Sequence, residues 1–202
     1  LFLYHKADDT TLKHLQLLKQ FNPDAIIIPV TDTISPQEYF PGTVDVQQFG
    51  DPFTKASSKW RDIDISVYSW FKHAKVHAMR FFLIEYDVYC TAPLKEIYKA
   101  VWDAEVAVVD FTTPEQSPDW WNFNQIPNLP KELQTFAGAT RPFVGTMLSF
   151  QALEKIVDCF YTKFSPGQDL ISEIRLGTII RYLRLKVKEH PTLRDNWRWH
   201  EY

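Results

Sequence analysis

Glu85 and Asp87 are the residues whose types and spacing best suit chemistry. They follow Phe81–Ile84, a short apolar run with the composition of a strand buried on both faces. If the strand continues, residues two apart share a face, so both carboxylates leave its carboxyl end pointing the same way. Ligands bind at that end of an open α/β sheet. The pair is predicted to hold Mg²⁺ or Mn²⁺, and through the metal a diphosphate. The plainer interpretation is that one acid caps a turn and the other is solvated.

Helices and strands alternate before this pair. Leu1–Tyr4 and Ala25–Val30 read as strands, and the helical stripe between them ends at Asn22-Pro23. This strand–helix–strand spacing is typical of a parallel βαβ unit. A proline- and glycine-containing loop is predicted over 31–58, and an amphipathic helix over 60–74.

The alternation continues after the pair. The patterns predict helices over 93–102, 153–164 and 169–187, and strands over 106–109 and 143–150, the second interrupted by Gly145. Between them, 111–141 is rich in proline and has no clear period. The order of elements predicts the α/β class, a three-layer sandwich whose mostly parallel central sheet has helices on both faces. At 202 residues, one domain spanning 1–202 is expected.

Composition narrows the class of partner. The formal net charge is −3 and the basic residues form no stripe, so no nucleic-acid partner is expected. No apolar run approaches the roughly 20 residues of a membrane span, and nothing resembles a signal peptide. Cys90 and Cys159 are predicted to be reduced core thiols, which favours the cytoplasm. Because the chain starts without Met inside an apolar run, further domains of a longer polypeptide are expected. The 7 tryptophans exceed what such a core needs, so some should line a groove for sugars or a partner protein.

The element order and the Glu85-Tyr86-Asp87 motif resemble the nucleotide-sugar glycosyltransferases of the GT-A fold. In that family a D-x-D motif after a central strand holds a divalent metal; here Glu replaces the first Asp. Ser172-Glu173-Ile174-Arg175 is the other residue-level match. The chain is also similar to the first domain of multidomain glycosyltransferases from large algal viruses. The resemblance implies Mn²⁺- or Mg²⁺-dependent transfer of a hexose or deoxyhexose from a UDP- or dTDP-sugar donor to a hydroxyl of a glycan acceptor.

The resemblance also assigns donor contacts, in the first loop, at the end of the second strand, and around the helix and motif that follow. A base would stack on Tyr4 or His5, and Lys6 would offset phosphate charge. The full set of assigned positions is Tyr4, His5, Lys6, Asp8, Thr31, Asp32, Trp60, Arg61, Asp62, Asp64 and Tyr86. The alternatives are an ordinary polar loop, a core position for Trp60 and a solvated surface acid at Asp64.

On the acceptor side, the resemblance points to 120–124 and 145–147 as pocket walls. Paired indoles would pack on the C–H face of a sugar while asparagine amides reach its hydroxyls; the alternative is that the rings plug a proline-rich loop. In an inverting enzyme Glu173 is the first choice for the base that deprotonates the acceptor, and Asp169 the second, one helical turn away. Asp169 could instead stabilise the helix dipole. His200 would complete the metal shell.

Two other functions fit parts of the sequence. A catalytically silent sugar-binding domain of the same fold would keep the aromatic groove and would not need Asp87. A metal-dependent phosphoesterase would also use clustered acids, but it requires more acids and histidines at strand ends, usually enough for two metals.

Overall fold

The computed structural model describes residues 1–32, 39–56, 61–74, 76–140 and 144–190. A seven-stranded sheet with the order β3-β2-β1-β4-β8-β5-β9 forms its centre, and β6 and β7 pair separately. In chain order the strands are β1 (Phe2–Leu3), β2 (Pro29–Thr31), β3 (Val44–Asp45), β4 (Arg80–Glu85), β5 (Val106–Val108), β6 (Phe111–Thr112), β7 (Ala139–Thr140), β8 (Val144–Ser149) and β9 (Val187–Glu189).

Helices cover both faces of the sheet. They are α1 (Asp9–Phe21), α2 (Pro52–Lys55), α3 (Ile63–Ala74), α4 (Leu94–Ile97), α5 (Phe150–Lys163) and α6 (Ser172–Tyr182). Side chains alternate along each strand, so Leu3 and Leu83 belong to the core cluster with α3, α5 and α6, whereas Phe2 and Ile84 belong to the cluster with α1 and α4. The predicted α/β class and three-layer arrangement are confirmed.

Most strand pairs are parallel, as predicted. β1 is parallel to β2 and β4, β2 to β3, and β5 to β9. β8 is antiparallel to both β4 and β5, so β5 runs in the same direction as β4. The carboxyl ends of β1, β2, β3, β4, β5 and β9 therefore lie along one edge of the sheet, which is the edge that positions the candidate site.

The predicted helix over 169–187 is wrong at both ends. α6 begins only at Ser172, and it ends where Arg184 adopts a left-handed conformation (φ 52°) and the Leu185 amide donates to the Ile180 carbonyl. The chain then turns into β9. The apolar pattern runs on across this boundary because α6 and β9 are both packed against the core, so periodicity alone does not separate them.

Other boundaries also differ from the sequence predictions. β2 is shorter than 25–30 and is shifted toward its end, since Ile26 is 83% exposed. The predicted loop over 31–58 contains β3, α2 and the 3₁₀ helix Val46–Phe49. The irregular region over 111–141 contains β6, β7 and two further 3₁₀ helices. Both cysteines are buried and free, as predicted. Across the described ranges, no helix combines the length and apolarity needed to cross a membrane.

Candidate active site

The acidic motif lies at the carboxyl end of β4, in the middle of the sheet. The strand stops at Glu85, and the Val88 amide donates to the Glu85 carbonyl at 3.0 Å, which closes a turn over 85–88. The strand therefore does not continue to Asp87, so the condition under which both carboxylates would share a strand face is not met. Asp87 is exposed and Glu85 is partly buried, so the two carboxylates differ in access to solvent.

A β-bulge adjoins Glu85. Leu83 pairs with Thr146 and Ile84 with Val144, which leaves Gly145 as the extra residue of β8, with φ 75°. A glycine suits this position because an L side chain is strained at such an angle. The Tyr98 hydroxyl donates to the Gly145 carbonyl, and this bond joins the bulge to the core cluster that contains α1 and α4. The predicted interruption of the strand at Gly145 is thus a β-bulge beside the acidic motif. Bulges often lie next to functional sites, where they redirect a side chain.

Glu173 faces the same region. Glu85 pairs in register with Leu3, and by strand alternation it points to the sheet face covered by α3 and α6. Glu173 occupies the first turn of α6. Burial raises the pKa of Glu85 to about 8, with further contributions from the negative charges of Asp87 and Glu173. Burial likewise raises the pKa of Glu173. Glu85 is therefore close enough to two other carboxylates to be affected by their charge: Asp87 on its own turn and Glu173 on α6, which is distant in sequence.

Glu85 and Asp87 suit a metal ion whose other ligands are oxygens of the substrate phosphates and of water. In the described part of the chain, no group of three or more His, Cys, Asp or Glu is arranged to hold a metal ion. Glu85 and Asp87 supply two carboxylates, and Mg²⁺ is commonly held by one or two carboxylates together with substrate phosphates and water. The donor set is therefore sufficient for a shared metal and insufficient for a self-contained one. His200, the predicted third ligand, lies outside the described residues.

The first loop contacts the acidic motif. The His5 ring meets the Tyr86 ring edge-on at 4.5 Å between centroids, and Lys6 Nζ lies 5.3 Å from the centre of the same ring. From α1, His14 Nδ1 lies 2.7 Å from the Tyr86 carbonyl oxygen, which makes His14 a support for the turn that carries Asp87. The structure thus brings together three predicted residues, His5, Lys6 and Tyr86. The sequence does not predict this role of His14, because the periodic pattern of α1 does not show which of its polar residues contacts the turn after β4.

Two of the predicted donor contacts in this loop have structural roles. Tyr4 is 2% exposed, its hydroxyl lies 2.6 Å from Thr43 Oγ1, and its ring packs on Phe40. No face of Tyr4 is available for a base, so that prediction is corrected. Asp8 caps α1 by accepting hydrogen bonds from the amide and hydroxyl of Thr11, both at 2.8 Å, which lower its pKa to about 2.

Asp32 lies at the carboxyl end of β2, as predicted, and it is buried. Its Oδ2 accepts a hydrogen bond from Ser66 Oγ at 3.2 Å. Asp32 and His5 help to line a cavity of about 10 Å³, which is room for about one water molecule and too small for a nucleobase. Thr31 Oγ1 is buried in the same lining and has no hydrogen-bond partner among the described residues. A base bound at this end must therefore lie outside the cavity.

Asp64 and Asp169 each form an ion pair with an arginine. Asp64 is fully buried and accepts from Arg175 Nε at 2.9 Å and from its Nη2 at 2.6 Å, while Asp62 accepts from the same Nη2 at 2.7 Å. Asp64 is thus neither a solvated acid nor a donor contact. Asp169 precedes α6 and pairs with Arg61 at 2.7 Å, so the prediction that it shares a helical face with Glu173 is wrong. Trp60 lies outside the described residues.

A larger cleft opens further along the same edge, at the carboxyl ends of β5 and β9. Its volume is about 500 Å³, and Trp120 is the aromatic wall beside Phe111. The predicted pair of indoles is not formed, because Trp120 packs on Phe123 at 5.0 Å while Trp121 is 65% exposed and does not line the cleft. The predicted wall over 145–147 is also corrected, since Thr146 and Met147 are fully buried.

Comparisons with known proteins add little to this geometry. No family model matches the chain, and no curated protein matches its sequence. A solved structure, described as an active-site mutant of LgtC, is similar over 99% of this chain and 79% of its own, with 11% identity and a TM-score of 0.48. At that level of similarity nothing about function is carried over from LgtC, and the site itself must support any assignment.

Proposed function

We propose that this chain is a glycosyltransferase that moves a hexose or deoxyhexose from a nucleotide diphosphate sugar to a hydroxyl of a glycan, with Mg²⁺ or Mn²⁺ bound at Glu85 and Asp87. The observation that carries the proposal is the position of this acidic pair. It lies at the carboxyl end of a central strand, with Lys6 and His5 of the first loop beside Tyr86, Glu173 on the sheet face to which Glu85 points, and an open cleft further along the edge.

The donor would lie between the first loop and the acidic pair. Lys6 Nζ lies beside the Tyr86 ring and is paired with Asp8 Oδ2 at 3.1 Å, so it would offset phosphate charge by exchanging that partner for the diphosphate, and His5 contacts the same ring. A bound Mg²⁺ or Mn²⁺ supplies Lewis-acid stabilisation of the charge on the departing diphosphate. Asp87 is the better placed of the two ligands, because it is exposed on the turn whereas Glu85 is partly buried.

Glu173 would act on the acceptor. A partly buried carboxylate in the first turn of a helix, on the sheet face to which Glu85 points, can accept the proton of a hydroxyl held between the two elements. Its raised pKa makes it a stronger base once it is ionised. This role requires inversion at the anomeric carbon. Asp169 has no part in the step, since its carboxylate is paired with Arg61 on the surface.

One other function is favoured by a specific observation. The cleft beside Trp120 would serve a catalytically silent sugar-binding domain equally well. The phosphoesterase interpretation is disfavoured, because the described residues hold no acid–histidine group large enough for even one fully protein-bound metal.

Thermal unfolding tests the proposal most directly. UDP or dTDP should raise the melting temperature when Mn²⁺ is present and not when it is absent, because a ligand stabilises the state it binds. Asp87→Asn should abolish this shift, while the exposed Asp24→Asn, a matched change on the same chain, should leave it intact. A metal-independent shift would argue against the shared metal, and no shift with any nucleotide would favour the silent domain.

A further inference from the structure

The cleft at the ends of β5 and β9 combines an indole with hydrogen-bonding groups. Its described lining contains the indole of Trp120, the phenyl ring of Phe111 and six polar side chains, Gln116 and Ser117 among them. An apolar ring face surrounded by polar groups suits a sugar, whose C–H face packs on the ring while its hydroxyls are hydrogen-bonded. The volume of about 500 Å³ is within the range of ligand pockets.

Two polar side chains that line the cleft, Gln116 and Ser117, can donate hydrogen bonds to a ligand. Gln116 Oε1 accepts from the Thr113 amide at 3.1 Å, and this uses the carbonyl of the side chain while its amide N–H groups make no bond within the described residues. Ser117 Oγ accepts from Thr112 Oγ1 at 2.8 Å, so the Ser117 hydroxyl hydrogen can be given to a ligand. Both donors can be accepted by sugar hydroxyl oxygens.

The wall is also held rigidly in place. β6 pairs with β7, the Phe111 amide donates to Glu189 Oε1 at 2.9 Å, and Thr140 Oγ1 donates to the Asp110 carbonyl at 2.9 Å. These bonds join the two-stranded sheet to the ends of β5 and β9. The aromatic wall, Trp120, packs edge-on against Phe123, which belongs to the core. A preformed pocket loses less entropy on binding than one that must be ordered.

The distance from this cleft to the acidic motif sets the size of the ligand. β4 and β5 are separated by β8, so the ends that carry Glu85 and Asp110 are two strand spacings apart, about 10 Å. We expect a separation of this size to exceed the reach of a single sugar ring seated on Trp120, so that the next unit along a saccharide chain would carry the hydroxyl toward Glu85 and Glu173.

We infer that the cleft binds the second sugar unit of an acceptor that is at least a disaccharide, with that unit packed on Trp120 and the terminal unit extended toward Glu85 and Glu173. The assignment of the saccharide as acceptor rests on the proposed function; the saccharide site itself does not. Binding in the cleft requires neither metal nor nucleotide, because no residue of its described lining belongs to the acidic motif.

Saturation-transfer NMR on the whole chain, without metal or nucleotide, tests the inference. The probes are lactose, cellobiose, maltose and N,N′-diacetylchitobiose, each compared with its constituent monosaccharides. At least one disaccharide should bind, at least about tenfold more tightly than its monosaccharides. Trp120→Ala should weaken that binding by about tenfold or more, as loss of a stacking ring does at other interfaces, and Trp121→Ala, the neighbouring exposed indole, should not change it.

A second variant guards against misfolding of Trp120→Ala, since Trp120 is partly buried. Gln116 is exposed at the rim, so Gln116→Trp should fill the cleft and abolish binding while the melting temperature stays close to that of the wild type. If none of the four disaccharides binds, or if the Trp120 and Gln116 variants bind as the wild type does, the inference is overturned. Disaccharide binding in a protein that shows no metal-dependent nucleotide binding would support the cleft and refute the transferase.

Discussion

Replacing Arg175 with methionine should be among the most damaging single changes in this chain. The guanidinium is 2% exposed and makes two bonds to Asp64, which is fully buried, and one to Asp62. It also donates to the carbonyls of Leu170 and Arg61. Arg175→Met removes all of these bonds together, and it leaves the Asp64 carboxylate buried without its counter-ion.

The magnitude follows from that uncompensated charge. Breaking a buried ion pair by removing one partner costs about 3–5 kcal/mol of unfolding free energy. For a chain of this length each kcal/mol lowers the melting temperature by roughly 2–4 °C, so Arg175→Met should lower it by about 6–20 °C. Removing both charges should cost less, because Arg175→Met with Asp64→Leu leaves no unpaired buried charge from this pair. The recovery should be partial, since the Leu170 carbonyl still loses its donor.

Urea unfolding of the two single variants and the double variant gives the coupling energy directly, provided that the m-values agree. Arg61→Met is the matched control, because Arg61 forms an ion pair of similar length with Asp169 at the surface and should lose about 1 kcal/mol or less. If Arg175→Met were as mild as Arg61→Met, or if the double variant were less stable than Arg175→Met, the reasoning about a buried counter-ion would be refuted.

Three further predictions concern the site and its supports. Glu173→Gln should lower turnover by roughly 10² to 10⁴ while donor affinity measured by calorimetry stays unchanged, and Asp169→Asn should do neither; the opposite pattern would exchange their roles. His14→Leu should weaken Mn²⁺ binding, followed by electron paramagnetic resonance, because it removes the hydrogen bond to the Tyr86 carbonyl; His14→Asn should restore it, because the amide nitrogen takes the place of Nδ1, and equal affinities in the two variants would show that the bond does not matter. Asp8→Ala should lower the unfolding free energy by about 1 kcal/mol at pH 7 through loss of the cap. Because the pKa of Asp8 is lowered to about 2 from a usual 3.8, the charge contributes stability above pH 3.8 that is lost as the pH falls through 2, so in urea unfolding the deficit should shrink over that window; a constant deficit would contradict it.

The elements that could be predicted from sequence are those whose signals are local. β4, β5, α1 and α5 carry their own periodicity and boundary residues, so their type and approximate position follow from the chain itself. The acidic motif was found for the same reason, because its two acids adjoin the strand that presents them. Glu173 could be identified as a candidate only through the resemblance, since it lies 88 positions after Glu85 (173 − 85).

The sequence could not predict contacts between residues that are far apart in the chain. Asp64 lies on an amphipathic helix and looks like a surface acid, and its burial depends on Arg175, 111 positions away. The two-residue strands β6 and β7 are too short to show a period, and contacts with Glu189 and Asp110 join them to the ends of β9 and β5. The end of α6 depends on the left-handed conformation of Arg184, and arginine is not a residue type that usually ends a helix in this way.

The antiparallel strand β8 has a consequence for the order in which the chain can fold. β4 and β5 are not hydrogen-bonded to each other, and each pairs with β8, which is made after both. During synthesis from the N-terminus, β4 would therefore be an open edge of the sheet until residues 144–149 emerge from the ribosome, and β5 would be unpaired, because its other partner, β9, is made later still. Because pairs such as Phe82 with Met147 close long loops, this step should be slow in folding from denaturant as well. A nascent chain stopped before β8 would expose the two strands most prone to pair with another molecule.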